Sequence, residues 1–484
     1  MVIRWRKERI LVKSIRWHDL LGDRDFYRQM FSIAIPVALQ QLITVGINLM
    51  DTIMLSHMGD AQLSAASLAG QFVNMFHIFS MGIGMGASVL TARYWGMRDL
   101  HSLRKSITIM LRLCAIFIAA FAAATLISPA GIMALYTPDA EIINLGCTYL
   151  AYMVPCFLCL GLSNTITIVL RTVRQVRIPL VCSICAFFIN IFFNWVFIFG
   201  NLGAPRMEIA GAALGTLLAR IFELLFICGY FFFKDERIGY RLRHLALPCR
   251  DLVGEYFRTA IPVLISDGLL ALGNNAVSMI MGRIGRTFVA ANSVTSIVQQ
   301  LSTVLIQGIC HASGIITGNT LGEGDKEKAQ QQAFSFLGTG IILGLLASLL
   351  IYIVKMPLIN FYQVSEETRM IAMELMDAIA LIVFFQSINS ILTKGVLRAG
   401  GDTRFLMAGD VLFLWVASIP LGILAGLVLH WPAFWIYMMI KIDQILKCIW
   451  SVFRLQSGKW IKVIGTSKDG LKEKKLSSIT QSVT

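Results

Sequence analysis

An aspartate stands inside an apolar run, in Asn48-Leu49-Met50-Asp51-Thr52-Ile53-Met54. Two amides share another run, Phe187-Phe188-Ile189-Asn190-Ile191-Phe192-Phe193-Asn194. Their i, i+4 spacing puts Asn190 and Asn194 on one face of a helix. Thr216 ends a third segment, Gly211-Ala212-Ala213-Leu214-Gly215-Thr216. A carboxylate among amides and a hydroxyl can hold a proton or a Na⁺ ion, and removal from water favours the protonated acid. Asn and Thr in such runs also serve simply to bridge helices. A second group is Gln41, Asp267 and Asn274. Asp267 and Asn274 are one heptad apart on a shared face, expected to line a central cavity and to meet a cationic substrate.

Other polar residues suggest less. Arg220 and Glu223 are i, i+3 and are expected to pair. His77 and His311 read as helix-contact histidines, and Asp377, Asp410, Lys441 and Asp443 as groups that snorkel or pair near the ends of apolar runs. Cys156-x-x-Cys159 and Cys182-x-x-Cys185 have a metal or redox spacing but no His nearby, and read as small apolar residues. There is no phosphate-binding loop, no His-Glu-x-x-His and no Asp-rich loop. The chain reads as no enzyme, with no cofactor and no resident metal. Work done by such a chain would draw on an ion gradient.

The elements that must position these residues follow from composition. Of 484 residues, 56% are hydrophobic and 14% charged, with mean hydropathy +0.71. Soluble domains average about 25% charged residues, so the apolar excess faces lipid. About 20 apolar residues cross a bilayer as a helix. Twelve runs qualify: 31–57, 64–94, 107–128, 142–170, 178–201, 208–233, 256–284, 291–319, 332–354, 368–396, 405–429 and 432–455. Short strands of alternating polarity, the mark of a membrane barrel, are missing. At about 1.5 Å per residue, Asp51, Asn194 and Thr216 all lie about 9–12 Å inside one membrane face.

The net charge of +14 is confined to alternate connections and the tails, which argues against nucleic acid. The opposite connections carry only Arg206, Arg283, Arg286, Lys355 and Arg369. By the positive-inside rule both termini are cytoplasmic in a multi-pass protein of the inner (plasma) membrane. Residues 1–28 form a basic cytoplasmic segment without the apolar core of a signal peptide. With Trp5 and Trp17 they suit either an anionic lipid surface or a disordered tail. The tail after Arg454 reads as disordered.

Ala34-Ile35-Pro36-Val37 recurs as Ala260-Ile261-Pro262-Val263. The same offset pairs Gly59 with Gly285, Gly82 with Gly308, Gly96 with Gly322, Asp99 with Asp325 and Tyr136 with Tyr362. Leu170-Arg171 meets Leu397-Arg398 one residue further on. The chain therefore reads as two six-span halves, an N-lobe at 29–233 and a C-lobe at 254–456, with a basic linker at 234–253 and a cytoplasmic tail at 457–484. Six is even, so the repeat is parallel, a plan used by alternating-access transporters. Asp51 pairs with Val277, so its acid belongs to one half alone, whereas Asp267 pairs with Gln41.

These residues resemble the multidrug and toxic compound extrusion (MATE) family over about 30–455. The likeness is carried by Ile35-Pro36-Val37, Val45-Gly46, Met50-Asp51-Thr52-Ile53-Met54, Gly96-x-x-Asp99, Leu170-Arg171, Gly211-Ala212-Ala213-Leu214-Gly215-Thr216 and Leu397-Arg398-Ala399-Gly400-Gly401-Asp402-Thr403. It implies an all-α integral membrane fold of twelve helices in two pseudo-symmetric lobes forming a V. It also implies antiport of organic compounds against H⁺ or Na⁺; the cargo is expected to be small cationic amphipathic compounds and the chain a monomer in the lipid bilayer. The family's N-lobe cation site carries over to Asp51, Asn190, Asn194 and Thr216. Some members have an acid where Asn194 stands, so proton handling here rests on Asp51. In the C-lobe, Leu270 and Ser387 stand where some relatives have acids. The rival readings are a lipid-linked oligosaccharide flippase, which would want a more basic cavity, a membrane-embedded transferase and a channel.

Overall fold

The computed structural model describes residues 20–56, 60–137, 139–361 and 365–462. The surface reading of residues 1–19, with Trp5 and Trp17, lies outside them, as do Gly59, Tyr362 and the tail from 463 onward. Among the described residues the chain is helical, with no strand.

In the first half α1 (Arg24–Ser56), α2 (Asp60–Gly96), α3 (Leu100–Ile127), the short α4 (Pro129–Ala134), α5 (Ala140–Thr172), α6 (Arg177–Phe199) and α7 (Glu208–Gly229) follow in order. Polar caps set several ends. Asp99 accepts from the Ser102 amide at 3.0 Å, and Asp139 accepts from the Glu141 amide at 2.9 Å, each satisfying an orphan donor of a first turn. The linker is folded onto this half. Buried Asp235 accepts from Gln175 at 2.9 Å and from the Ile238 amide at 3.0 Å, and Tyr240 stacks on Phe231.

The second half has α8 (Arg250–Ile284), α9 (Arg286–Gly322), α10 (Lys326–Phe361), α11 (Glu366–Ser390), α12 (Thr403–Val411), α13 (Ile419–Ile423), α14 (Ala433–Ile440) and α15 (Ile442–Gln456). The helix of α11 continues through π turns at Ile391–Leu397, and α12 and α13 belong to one apolar run, Thr403–Val428. Among the described residues, eleven helical runs are long and apolar enough to cross a membrane. The twelfth expected span is broken at Lys441 into α14 and α15. Lys447 sits buried between Asp410 of α12 at 3.0 Å and Asp443 at 3.2 Å. Lys355 likewise pairs with Asp377 at 2.7 Å. Asp377, Asp410 and Asp443, read from the sequence as groups that snorkel or pair, are paired, with Lys355 and Lys447 as their partners, while Lys441 hydrogen-bonds Asn274 at 3.4 Å.

The repeats meet each other through small residues. The α1 helix packs on α9, and α2 packs on α8 and α9. Gly86 faces Ala260, where an added Cβ would sit 2.7 Å from its Cα, while the repeat-related Gly82 and Gly308 face Leu264 and the Ala34–Ala38 turn. Gly96 and Gly322, partners in the repeat, touch at the ends of α2 and α9; a Cβ on either would strike the backbone of the other helix. Beside them Arg93 donates to the carbonyls of Lys462 at 2.7 Å and Gly400 at 2.8 Å. The chain after α15 is thus ordered further than expected. Trp460 is fully buried, its indole donating to Gln330 at 2.7 Å, so residues 457–462 seal this end.

Two substitutions test this packing. Gly96→Leu should cost about 1–3 kcal/mol or force the ends apart, whereas Gly229→Leu, whose Cβ meets open space, should be tolerated; equal thermal unfolding midpoints in detergent would contradict the close approach. Lys447→Met strands two carboxylates and should cost about 3–5 kcal/mol in the same assay.

Candidate ion site and adjoining cavities

The four residues singled out around Asp51 converge from three helices. Asn194 of α6 donates from Nδ2 to Asp51 Oδ1 of α1 at 2.5 Å. The same nitrogen lies 3.4 Å from Asn190 Oδ1, and Asn190 Nδ2 lies 3.4 Å from Thr216 Oγ1 of α7. Asn190 and Asn194 are buried, and Asn194 Oδ1 has no hydrogen-bond partner among the described residues. The site thus has an acid, two amides, a hydroxyl and one acceptor oxygen left unused.

Glycine positions it. A Cβ at Gly211 would lie 2.6 Å from Phe197 backbone, and one at Gly215 would strike Asn194 Oδ1. This Gly-x-x-x-Gly spacing lets α7 press against α6 at the amides, as small residues do between membrane helices. The sequence displays the spacing but not what it faces. Around the acid, Met54, Ala65, Ala66, Ile198, Ile209 and Ala212 form an apolar cluster, with Met50 and Tyr149 packed on it.

The second expected group divides. Gln41 lines a polar cleft of about 780 Å³ inside the first half. Asp267 is held by Arg398, with contacts of 2.8 and 3.1 Å. It is therefore no free acid awaiting a cation, because a nearby guanidinium satisfies both oxygens. Asn274 accepts from Lys441 at 3.4 Å and lines neither cavity described here. The three do not form one cavity wall.

Sequence reasoning missed what else lines the cleft. Arg220 and Glu223 pair at 2.7 Å as expected, but on the cleft wall. His77, Gln40, Asn164 and Ser183 join them. Arg171, counted from the sequence as a loop residue, is 8% exposed at the end of α5 and donates to Gln40 Oε1 at 2.7 Å. Arg398, also counted in a connection, is 5% exposed. The signal available was Gln40-Gln41 in an apolar run; nothing in the sequence separates a buried terminal arginine from a topology-setting one.

Comparison with known proteins agrees with this architecture. The MatE family model matches residues 36–196 and again 262–424, once in each half. A Thermotoga maritima protein named "Probable multidrug resistance protein NorM" is 24% identical over 455 residues, spanning 92% of this chain and 96% of its own. Among solved structures, MATE in a straight conformation and an outward-facing multidrug resistance MATE transporter each align with TM-score 0.81 at 18% identity. Each alignment covers 92% of this chain and all of the other. The doubled match, the paired halves and the shared fold make this chain a member of the MatE family of membrane transporters.

Proposed function

We propose that this chain exports small organic compounds by alternating access, driven by inward movement of H⁺ or Na⁺ through the site at Asp51. The single observation that carries the coupling claim is the Asn194–Asp51 hydrogen bond at 2.5 Å. When Asp51 is ionised, the Asn194 amide is a favourable donor to it. A proton or Na⁺ arriving there competes with that donor. The spare Asn194 Oδ1 and the Thr216 hydroxyl are oxygen ligands of the kind a hard cation takes. Either event alters how α1, α6 and α7 pack, and a ligand shifts a conformational equilibrium by its differential affinity for the two states.

The relatives named for multidrug resistance support an organic cargo. The sequence pointed to cationic amphipathic cargo, with Asp267 as the acid that would face it. In the present conformation Asp267 is engaged by Arg398, and Glu223 by Arg220. A cationic group would have to displace an arginine at either place. The orientation proposed from the basic connections puts both termini in the cytoplasm and the Arg93–Gly400 seal at the inner face. A monomer contains both halves and needs no second copy to form the clefts.

Asp51→Asn should insert and fold but reduce dye efflux from proteoliposomes to background under either an imposed pH gradient or an imposed Na⁺ gradient. Thr216→Val should slow efflux only a few-fold, since its contact with Asn190 is long. Full efflux by well-folded Asp51→Asn would remove the coupling role.

A further inference from the structure

Where the two halves face each other, a small open cavity is bounded by α2, α5, α9 and the π turns after α11. Four basic side chains line it: Arg171, His311, Lys394 and Arg398. Their counter-charge is small. Asp267 satisfies Arg398 and no other of the four. Asp410, the next acid in range of Arg398, is already paired with Lys447. Arg171 has a neutral partner, Gln40, and its Nε makes no hydrogen bond; Arg398 Nε also makes none. Lys394 is exposed to the cavity, with no hydrogen bond or ion pair among the described residues. Arg171 is thus buried without a balancing charge, which is costly away from water unless a partner completes it, and Lys394 adds a second, exposed charge with no ion pair among the described residues. The remaining wall is apolar, with Met85, Val89, Ile168, Cys310 and Ile315. Arg171 and Ile168 also line the cleft of the first half, so the two spaces adjoin.

We propose that this inter-half cavity is an anion site for amphiphiles bearing a carboxylate or phosphate, with Arg171 and Lys394 as its charge partners. The acidic group sits between the halves and the organic body extends along Ile168 toward the first-half cleft. Arg171 presents a planar donor fork and Lys394 a mobile point charge, a combination that suits carboxylate and phosphate alike. Because its ligands come from both halves, an occupied site favours the state in which the halves meet. The proposal names a cargo class for the efflux reading and rests on that reading for its physiological meaning. The same chemistry is offered by a free organic anion and by the headgroup of an anionic lipid.

Binding is measurable without any gradient, which keeps it separate from coupling. Full-length protein in phosphatidylcholine nanodiscs would be titrated against fluorescein, an anion, and rhodamine 6G, a cation on the same ring system, by fluorescence polarisation. Fluorescein should bind and be displaced by inorganic phosphate, and rhodamine 6G should not compete. Lys394→Gln, which removes no structural bond, and Arg171→Gln should each weaken fluorescein binding about ten-fold or more, as loss of one charge-assisted contact implies. If lipid is the natural occupant, discs containing phosphatidylglycerol should weaken fluorescein binding in the parent protein but not in Lys394→Gln; if a free solute is, the two lipids should give equal affinity. Asp51→Asn should still bind fluorescein, at the affinity the parent protein shows when its ion site is occupied. Absence of fluorescein binding, or affinity unchanged in both Lys394→Gln and Arg171→Gln, would overturn the anion site. In that case, persisting gradient-driven efflux of rhodamine 6G would leave the efflux reading standing.

Discussion

One partly buried carboxylate, held by one amide, is the constraint on which the first half is organised. Asp51 lies on α1 among apolar neighbours, and Asn194 approaches it to 2.5 Å from α6. That approach depends on α7 lying unusually close to α6, which depends in turn on Gly211 and Gly215 having no side chains. The acid, the amide and the glycines form one mechanical unit. A change in the charge at Asp51 is felt first by α6 and then, through the tight glycine contact, by α7.

The second half handles charge in the opposite way. Lys447 ties α12 to α15 through Asp410 and Asp443, and Arg398 ties the π turns after α11 to α8 through Asp267. Buried ion pairs of this kind are weak sources of net stability but strong constraints on geometry, since removing one member leaves the other uncompensated. The first half thus holds one acid, Asp51, on an amide alone, beside the paired Glu223, whereas Asp267, Asp410 and Asp443 of the second half are all paired with bases. The glycine contacts between α1 and α9 and between α2 and α8 are where the two halves pack most closely.

Much of this was legible in the sequence. The spans follow from apolar run length, and the repeat from Ile-Pro-Val and the paired glycines, because packing between halves requires small residues at corresponding places. The quartet around Asp51 was legible because polar residues in lipid-depth helices are costly and stand out. The break at Lys441 was not, since its partners lie on other helices and a charged run of ordinary length still resembles a span. Arg171 and Arg398 were misplaced for a related reason: an arginine at the end of an apolar run looks alike whether it faces cytoplasm or turns back into the protein. Asp267 was placed with a cationic substrate because its guanidinium partner, Arg398, is distant in the chain. The tail was read as disordered from its Lys and Ser, and the single Trp460 that buries itself against Gln330 went unweighed.

The central claim, that occupancy at Asp51 sets how the halves stand, is tested most directly by a distance. Spin labels at Leu202 and Leu429, both exposed and beyond the ends of α6 and α13, would be placed in a cysteine-free background in nanodiscs. Pulsed dipolar spectroscopy would follow their separation as the buffer is acidified or Na⁺ is added. The account predicts that the distance distribution shifts with the ion in the parent protein and stays fixed, at the ion-occupied distribution, in Asp51→Asn. An ion-dependent shift of the same size in Asp51→Asn would contradict it.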